Sequence, residues 1–171
     1  ATHTNELCRD RLEEGLLGDP MDEGMLGTGA IPQECIGPIT RKPGVPYAVD
    51  TVAVQHISGG FSMCVLRAYE QGAKKFQARG FNVVHFDEEP PWDIWSQGLR
   101  AVTSTRGIIN LTFTPEYGMT DVVNGFMNHI RPGQALIRAS WDDAKHINED
   151  KSHRDQLEQA ISEHERDMRT K

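Results

Sequence analysis

The chain has 171 residues, of which 37% are hydrophobic, so it can fold as one domain with a buried core and a small appendage. Its net charge of -7 excludes a phosphate-binding surface over the whole molecule, and any nucleic-acid contact must therefore be local. No apolar run is long enough to span a bilayer, and no segment resembles a signal peptide. The three cysteines are widely spaced and form no CxxC pair, so they indicate neither a zinc site nor a disulfide framework. This use of cysteine fits a reducing cytoplasm.

The N-terminal part of the chain is predicted to hold one helix followed by irregular structure. Apolar spacing predicts a helix that is capped at Thr4 or Asn5 and runs to about Leu17. In the Gly- and Pro-rich stretch that follows, we expect one helical turn at 31–36 and a solvated basic loop at 40–44.

A β-hairpin and a short helix come next. Apolar residues alternate with polar ones over 50–57, a Ser58-Gly59-Gly60 turn follows, and 61–69 resumes strand character. A short helix is predicted over 69–76.

The most informative feature is the apolar run over 83–86, which delivers Asp87 and Glu88 to the end of a predicted strand before Pro90-Pro91 stops it. The pattern indicates a Walker B motif, in which Asp87 holds the Mg²⁺ of a bound nucleotide and Glu88 is the general base. Glu89 has no assigned role. The alternative is a buried strand that ends in a solvated acidic turn.

A second strand with hydroxyl side chains is predicted after the Walker B strand. Helical spacing over 93–102 leads to an apolar strand at 108–114. Thr112 and Thr114 are two residues apart, so both are expected on one face at the strand end, where their hydroxyls could sense the γ-phosphate or the attacking water. Thr is also a common strand former, which is the alternative explanation.

The C-terminal part is predicted to hold a helix at 120–129, a strand at 134–139 and, after a boundary near Ser140, charged amphipathic helices over 151–169. The succession of elements predicts an α/β fold with a largely parallel central sheet, the hairpin excepted. We expect strand 83–87 to be buried in the middle of that sheet, with the strands at 61–69 and 108–114 on either side or close by. An edge position would argue against an ATPase.

Other side chains are weaker candidates for chemistry. Asp142 and His146 have the i,i+4 spacing of a metal pair, although a helix cap and polar loop explain them better. His85 is expected to be a hydrogen-bonded core residue, and Trp92 and Trp95 are expected to pack the helix after the Walker B strand rather than stack on bases. The sequence does not choose a phosphate-sensing arginine among Arg41, Arg67, Arg106 and Arg138.

With these residues in place, the chain resembles the large subunit of the tailed-phage DNA-packaging terminases, in particular the short-tailed P22 type. Ordered blocks along nearly the whole chain carry the resemblance: Gly27-Thr28-Gly29-Ala30-Ile31-Pro32, His56-Ile57-Ser58-Gly59-Gly60, Tyr69-Glu70-Gln71-Gly72, Phe86-Asp87-Glu88-Glu89-Pro90-Pro91, Thr112-Phe113-Thr114-Pro115 with Gly118-Met119, Trp141-Asp142-Asp143, and His164-Glu165-Arg166 to Arg169-Thr170-Lys171.

The resemblance implies an ASCE-type, RecA-like P-loop NTPase with a three-layer core, here without the Walker A strand and loop. Residues 1–139 would be part of this ATPase core, and 140–171 would be lid and linker helices that lead to a nuclease domain outside the chain. Asp87 would be the Mg²⁺ ligand, Glu88 the catalytic base, and Thr112 to Thr114 the coupling motif. The cofactors would be ATP and Mg²⁺.

The implied function is that of an ATP-hydrolysing motor that packages double-stranded DNA into procapsids in the host cell cytoplasm. Its partners would be the DNA, the portal protein, the small terminase subunit and further copies in a homo-oligomeric ring, with no membrane. The chain holds no GxxxxGK[ST] phosphate loop, so we interpret it as a piece of a longer protein that alone neither hydrolyses ATP nor binds duplex DNA tightly.

Three alternatives stay open at this point. A superfamily 2 helicase also has an acidic strand followed by a hydroxyl-bearing strand, but it would need a second RecA-like domain. A metal-dependent nuclease could use the acidic cluster if a third carboxylate converged on it. The isolated chain could also be a non-enzymatic assembly module.

Overall fold

The computed structural model describes residues 1–19, 21–77, 80–115, 118–140, 143–145, 155–156 and 159. The chain divides into two units, Ala1–Thr112 and Phe113–Lys171. None of the helices in these described ranges is both long enough and apolar enough to cross a membrane.

The first unit begins with a continuous helical segment. It consists of α1 (Asn5–Leu7), a π-helical stretch (Cys8–Glu13) and α2 (Glu14–Leu17). The Thr4 hydroxyl accepts the N–H of Leu7 at 3.1 Å, so the predicted cap and helix are confirmed, although the middle turns are wound more widely than an α-helix.

Three antiparallel strands form the first sheet in the order β1 (Ile36–Arg41), β2 (Val49–Gln55), β3 (Phe61–Val65). The predicted hairpin is confirmed as β2–β3, with β3 ending earlier than expected. The predicted basic loop is wrong in its first half, because Thr40 and Arg41 belong to β1. This strand carries register shifts, which obscure the alternation that would have revealed it.

Short 3₁₀ turns connect these elements to the second sheet. They span Glu23–Met25, Gln33–Cys35, Tyr69–Gln71 and Ala73–Phe76. The helical turn expected at 31–36 and the short helix expected at 69–76 are thus confirmed in 3₁₀ form.

The second sheet consists of β4 (Val83–Asp87) and β5 (Ile108–Thr112), which run parallel and are connected by α3 (Trp92–Thr103). The boundaries of β4 and α3 agree with the sequence prediction. Phe86 lies between the sheet and the helix, is 0% exposed, and has its ring centroid 5.7 Å from that of Trp95. The apolar run of β4 is therefore partly explained by packing under α3.

The predicted place of β4 as a buried strand between the other strands is wrong, since Val83 is 59% exposed and Phe86 alone among the β4 residues is fully buried. β3 pairs with β2 in the antiparallel sheet, and β4 has β5 as its one strand neighbour in the described residues. The largely parallel central sheet is thus replaced there by an antiparallel and a parallel sheet. The mixed α/β class is confirmed.

The N-terminal residues occupy the other edge of β4. The Ala1 amino group donates to the carbonyl of His85 at 2.7 Å, and the N–H of Asp87 donates to the carbonyl of Ala1 at 2.8 Å. The next residue, Thr2, forms a parallel bridge with Ala68. Because these bonds satisfy the main chain on the side away from β5, β4 is paired on both sides at its carboxyl end.

The second unit contains α4 (Asp121–Met127), capped by the Thr120 hydroxyl, which accepts the N–H of Val123 at 3.2 Å. This confirms the helix predicted at 120–129. The strand predicted at 134–139 is wrong: these residues have no strand pairing, and the side chain of Ile137 is 91% exposed. The helices predicted over 151–169 lie outside the described residues except at 155, 156 and 159, and the boundary near Ser140 stays a prediction.

Candidate functional site

Asp87 and a hydroxyl side chain come together where the two parallel strands end. Asp87 is the last residue of β4 and lies opposite Thr112, the last residue of β5. The Thr112 Oγ1 lies 3.3 Å from Asp87 Oδ1 and 3.5 Å from the carbonyl oxygen of Phe86, so its single proton serves one acceptor at a time. Carboxyl ends of parallel strands are where open α/β sheets bind ligands.

Glu88 continues the strand ladder by one hydrogen bond and then turns the chain. Its N–H donates to the Thr112 carbonyl at 2.8 Å, but its φ of +64° lies in the left-handed region. A non-glycine residue pays about 1–2 kcal/mol for this conformation, so its surroundings must hold it. Asp87 and Glu88 therefore differ in backbone conformation at the strand end, and both residues are half-buried there.

Tyr69 lies in the 3₁₀ turn Tyr69–Gln71, and its side chain reaches the carboxyl end of β4. Its hydroxyl oxygen lies 2.8 Å from the Glu88 carbonyl, 3.0 Å from the Asp87 carbonyl and 3.2 Å from the Ala1 carbonyl. Burial raises the pKa of Tyr69, and the neighbouring Asp87 and Glu88 raise it further. The hydroxyl therefore keeps its proton, which it donates to one of these main-chain oxygens at a time.

Sequence reasoning did not assign a role to Tyr69. The signal was present in the block Tyr69-Glu70-Gln71-Gly72, whose polar members are also engaged. Glu70 Oε1 accepts the N–H of Asn5 at 2.8 Å, and Gln71 Oε1 accepts the N–H of Ala68 at 3.1 Å. The block ties the start of the helical segment and the end of β4 to one turn.

Thr114 is not part of β5, which ends two residues earlier than predicted. The expectation that Thr112 and Thr114 both lie in the strand is therefore wrong, because the pairing of β5 with β4 ends at Thr112. Thr114 belongs to the unit that begins at Phe113, and its coupling role stays a prediction.

Two of the candidate arginines have partners in the first unit. Arg41 donates to the carbonyl of Tyr47, and Arg67 forms an ion pair with Asp50. Arg106 lies in the turn before β5, with a φ of +53°, and Arg138 lies in the second unit. No phosphate sensor is assigned among the four.

The remaining candidates are resolved in part. His85 is hydrogen-bonded as predicted, with its Nδ1 3.1 Å from Asn110 Nδ2, but it is exposed rather than in the core. Trp95 packs against Phe86 as expected, whereas Trp92 is exposed. Asp142 and His146 lie outside the described residues.

The donor atoms at the strand ends fit a hard divalent cation. They are carboxylate and hydroxyl oxygens, which suit Mg²⁺, an ion that usually takes one or two protein carboxylates and completes its shell with phosphate oxygens and water. Among the described residues, no three His, Cys, Asp or Glu side chains cluster as a complete metal site. Asp87 thus has the chemistry of a partial ligand set.

Two comparisons with known proteins point to the same family. A family model described as "Terminase large subunit, T4likevirus-type, N-terminal" matches residues 13–171. The chain is similar to the terminase large subunit of Salmonella phage P22, with 32% identity over 173 residues that cover 98% of this chain and 34% of that protein. The chain thus spans about a third of the length of the curated relative it matches. No solved structure matches it.

Proposed function

We propose, because the chain belongs to the terminase large-subunit family, that it forms part of the ATPase motor that packages double-stranded DNA into phage procapsids. The observation that carries the proposal is the meeting of Asp87, Glu88 and Thr112 at the carboxyl ends of adjacent parallel strands. An acidic pair at the end of an apolar strand, beside a hydroxyl on the next strand, has the arrangement that nucleotide hydrolysis requires.

Each residue then has a distinct task. Asp87 would hold Mg²⁺ through its carboxylate, and the ion, when bound, would neutralise charge on the nucleotide phosphates. Glu88 would accept a proton from the attacking water and orient that water. The Thr112 hydroxyl would donate to Asp87, the nearer of its two acceptors, and so orient the carboxylate. Thr114 is retained as the second residue of the proposed coupling motif.

The position of β4 bears on this proposal, since a Walker B strand is expected to have neighbours on both sides. The predicted strand order is wrong, but the main-chain bonds with Ala1 close the second edge next to Asp87. By the criterion set from the sequence, the strand order counts against an ATPase, and the proposal rests on Asp87 and Thr112 at the ends of adjacent parallel strands.

The phosphate contacts and the partners complete the proposal. No GxxxxGK[ST] sequence occurs in the 171 residues, so we propose that a phosphate loop elsewhere in a longer large subunit binds ATP. Double-stranded DNA, the portal protein, the small terminase subunit and further copies in a ring on the procapsid would be the partners, in the cytoplasm of the host.

The proposal is tested by two substitutions in a full-length large subunit that carries these residues. Glu88→Gln should keep ATP and Mg²⁺ binding but lower turnover by roughly 10²-fold or more, the typical worth of a positioned general base. Asp87→Asn should instead weaken Mg²⁺-dependent nucleotide binding. Steady-state ATPase rates and calorimetric ATP titrations with and without Mg²⁺ measure the two effects.

Glu89→Gln is the matched control, because it makes the same change to the adjacent carboxylate. It should leave turnover within a few-fold of the unmodified protein. Turnover that survives Glu88→Gln and is lost in Glu89→Gln would move the base to Glu89. Turnover that survives all three substitutions would refute the ATPase proposal for this site.

A further inference from the structure

We propose that Tyr69 is a positioning residue for the general base, holding the Glu88 main chain in its left-handed conformation through the tyrosine hydroxyl. The inference rests on the proposed function, since it assigns Tyr69 a task only if Glu88 is the base. It concerns the geometry of that base and adds no group that touches the substrate.

Both polar main-chain groups of Glu88 are bound, and by different elements. Its N–H donates to the Thr112 carbonyl on β5 at 2.8 Å. Its carbonyl, also at 2.8 Å, is the nearest of the three acceptors that share the single proton of the Tyr69 hydroxyl. The two bonds fix the peptide on either side of the Glu88 Cα. Because the side chain leaves the main chain at that atom, the two bonds together determine where its carboxylate can reach.

Tyr69 is itself held in place, so its hydroxyl is a fixed point. Its side chain is buried, and its ring centroid lies 5.2 Å from that of His3 and 6.1 Å from that of Phe86. Its main-chain N–H donates to the carbonyl of Thr2 at 2.7 Å. The ring therefore packs against Phe86, while the hydroxyl contacts the carbonyls of Asp87 and Glu88.

The hydroxyl acts where the backbone is strained. A left-handed glutamate relaxes toward negative φ if its restraints are removed, and one hydrogen bond is comparable in free energy to the penalty of that conformation. Without the Tyr69 hydroxyl, one of the two main-chain restraints on Glu88 is lost. A displacement of the base by about 1 Å is sufficient to lower turnover substantially, since proton transfer requires hydrogen-bond reach.

The test is Tyr69→Phe in the full-length large subunit, which removes the hydroxyl and keeps the ring. We expect the kcat for ATP to fall about tenfold while its KM changes less than about twofold, because the hydroxyl orients the base and does not bind nucleotide. Tyr47→Phe is the matched control, since Tyr47 is an exposed tyrosine that also has a positive φ, of 63°, but lies outside this site. It should leave both constants unchanged.

A double-mutant cycle separates positioning from general stabilisation. In a Glu88→Gln background, Tyr69→Phe should lower the residual rate by less than about twofold, because a displaced base and an absent base are equivalent. A full tenfold loss in that background would overturn the inference, as would an unchanged kcat for Tyr69→Phe alone. Failure of the proposed function is seen separately, since Glu88→Gln by itself would then be active.

An isosteric variant covers the case in which Tyr69→Phe does not fold. 4-Aminophenylalanine placed at position 69 keeps the ring and replaces the hydroxyl with an amine that can still donate to a main-chain carbonyl. Its kcat should stay within about threefold of that of the unmodified protein. A folded variant that keeps this donor but loses kcat tenfold would overturn the inference.

Discussion

Replacing Gly98 with alanine has two opposing effects on stability, because alanine favours the helix but its Cβ overpacks the core. Gly98 lies in the middle of α3, and a Cβ built on it would be 2.6 Å from Cζ and 2.8 Å from Cε2 of Phe86. Carbon atoms in favourable contact are about 3.5–4.0 Å apart, so both distances are short by roughly 1 Å. Since Phe86 is fully buried, with rings of Trp95 and Phe76 beside it, the phenyl group cannot move away without displacing a neighbour.

The expected effect of Gly98→Ala follows from two magnitudes. Alanine in place of glycine in a helix interior contributes about 0.5–1 kcal/mol of stability. Overpacking a well-filled core costs typically 1–3 kcal/mol. We therefore expect a net destabilisation of about 1–2 kcal/mol, with the displaced Phe86 carrying the strain to its neighbour Asp87.

Equilibrium urea unfolding followed by circular dichroism measures this difference. Gly15→Ala is the matched control, because Gly15 lies in α2 and its added Cβ would meet nothing within 4 Å. It should stabilise the chain by about 0.5–1 kcal/mol. If Gly98→Ala stabilises the protein as Gly15→Ala does, the close packing of α3 on Phe86 is refuted.

Two further predictions concern side chains that hold the first unit and its site. In a full-length subunit, Thr112→Val should lower ATP turnover several-fold, because it removes the hydroxyl that can donate to Asp87. Thr112→Ser keeps a hydroxyl and should keep the turnover. Equal rates for the two variants would show that Thr112 is not part of the site. Glu13 is buried and accepts the N–H of Val49 at 2.9 Å, and burial raises its pKa above the ordinary 4.5. The folded state thus binds this proton more tightly than the unfolded state, so the contribution of Glu13 to stability is greatest below about pH 4.5 and is lost as pH rises through the folded pKa. Unfolding free energies of Glu13→Gln and the unmodified chain should therefore shift in favour of the variant from pH 4 to pH 7, and a pH-independent difference would contradict the pKa shift.

The elements that sequence predicted correctly are those whose signals are local. The apolar run of β4, its stop at Pro90-Pro91 and the helical spacing of α3 are contained in a short stretch, and both elements form where expected. The Thr4 cap and the Thr120 cap are likewise read from neighbouring residues.

The failures depend on contacts between distant segments. β1 contains Gly37 and Pro38, which are typical of loops, and it is a strand because β2 lies beside it. The apolar residues at 134–139 have strand composition but no pairing partner in the described part of the chain. Strand order depends on such pairing as well, which explains why the place of β4 was predicted wrongly.

The same distinction applies to the site. Asp87, Glu88 and Thr112 could be proposed from the sequence because a motif places each of them at or next to the end of a strand. Tyr69 could not, because it contacts carbonyls that are 18 and 19 residues away in the sequence, and no local pattern encodes these contacts. A side chain that acts on the main chain of another residue leaves little trace in its own neighbourhood.

The contacts around the acidic pair differ in how readily a substitution can remove them. The bonds from Asp87 to Ala1 and from Glu88 to Thr112 join main-chain atoms, so any residue that keeps the backbone path can form them. The bond from Tyr69 to the Glu88 carbonyl is made by a side chain, and a single oxygen atom decides whether it exists. A substitution at position 69 therefore tests the proposed positioning of Glu88 without removing the main-chain bonds of the strands, which no side-chain substitution can remove directly.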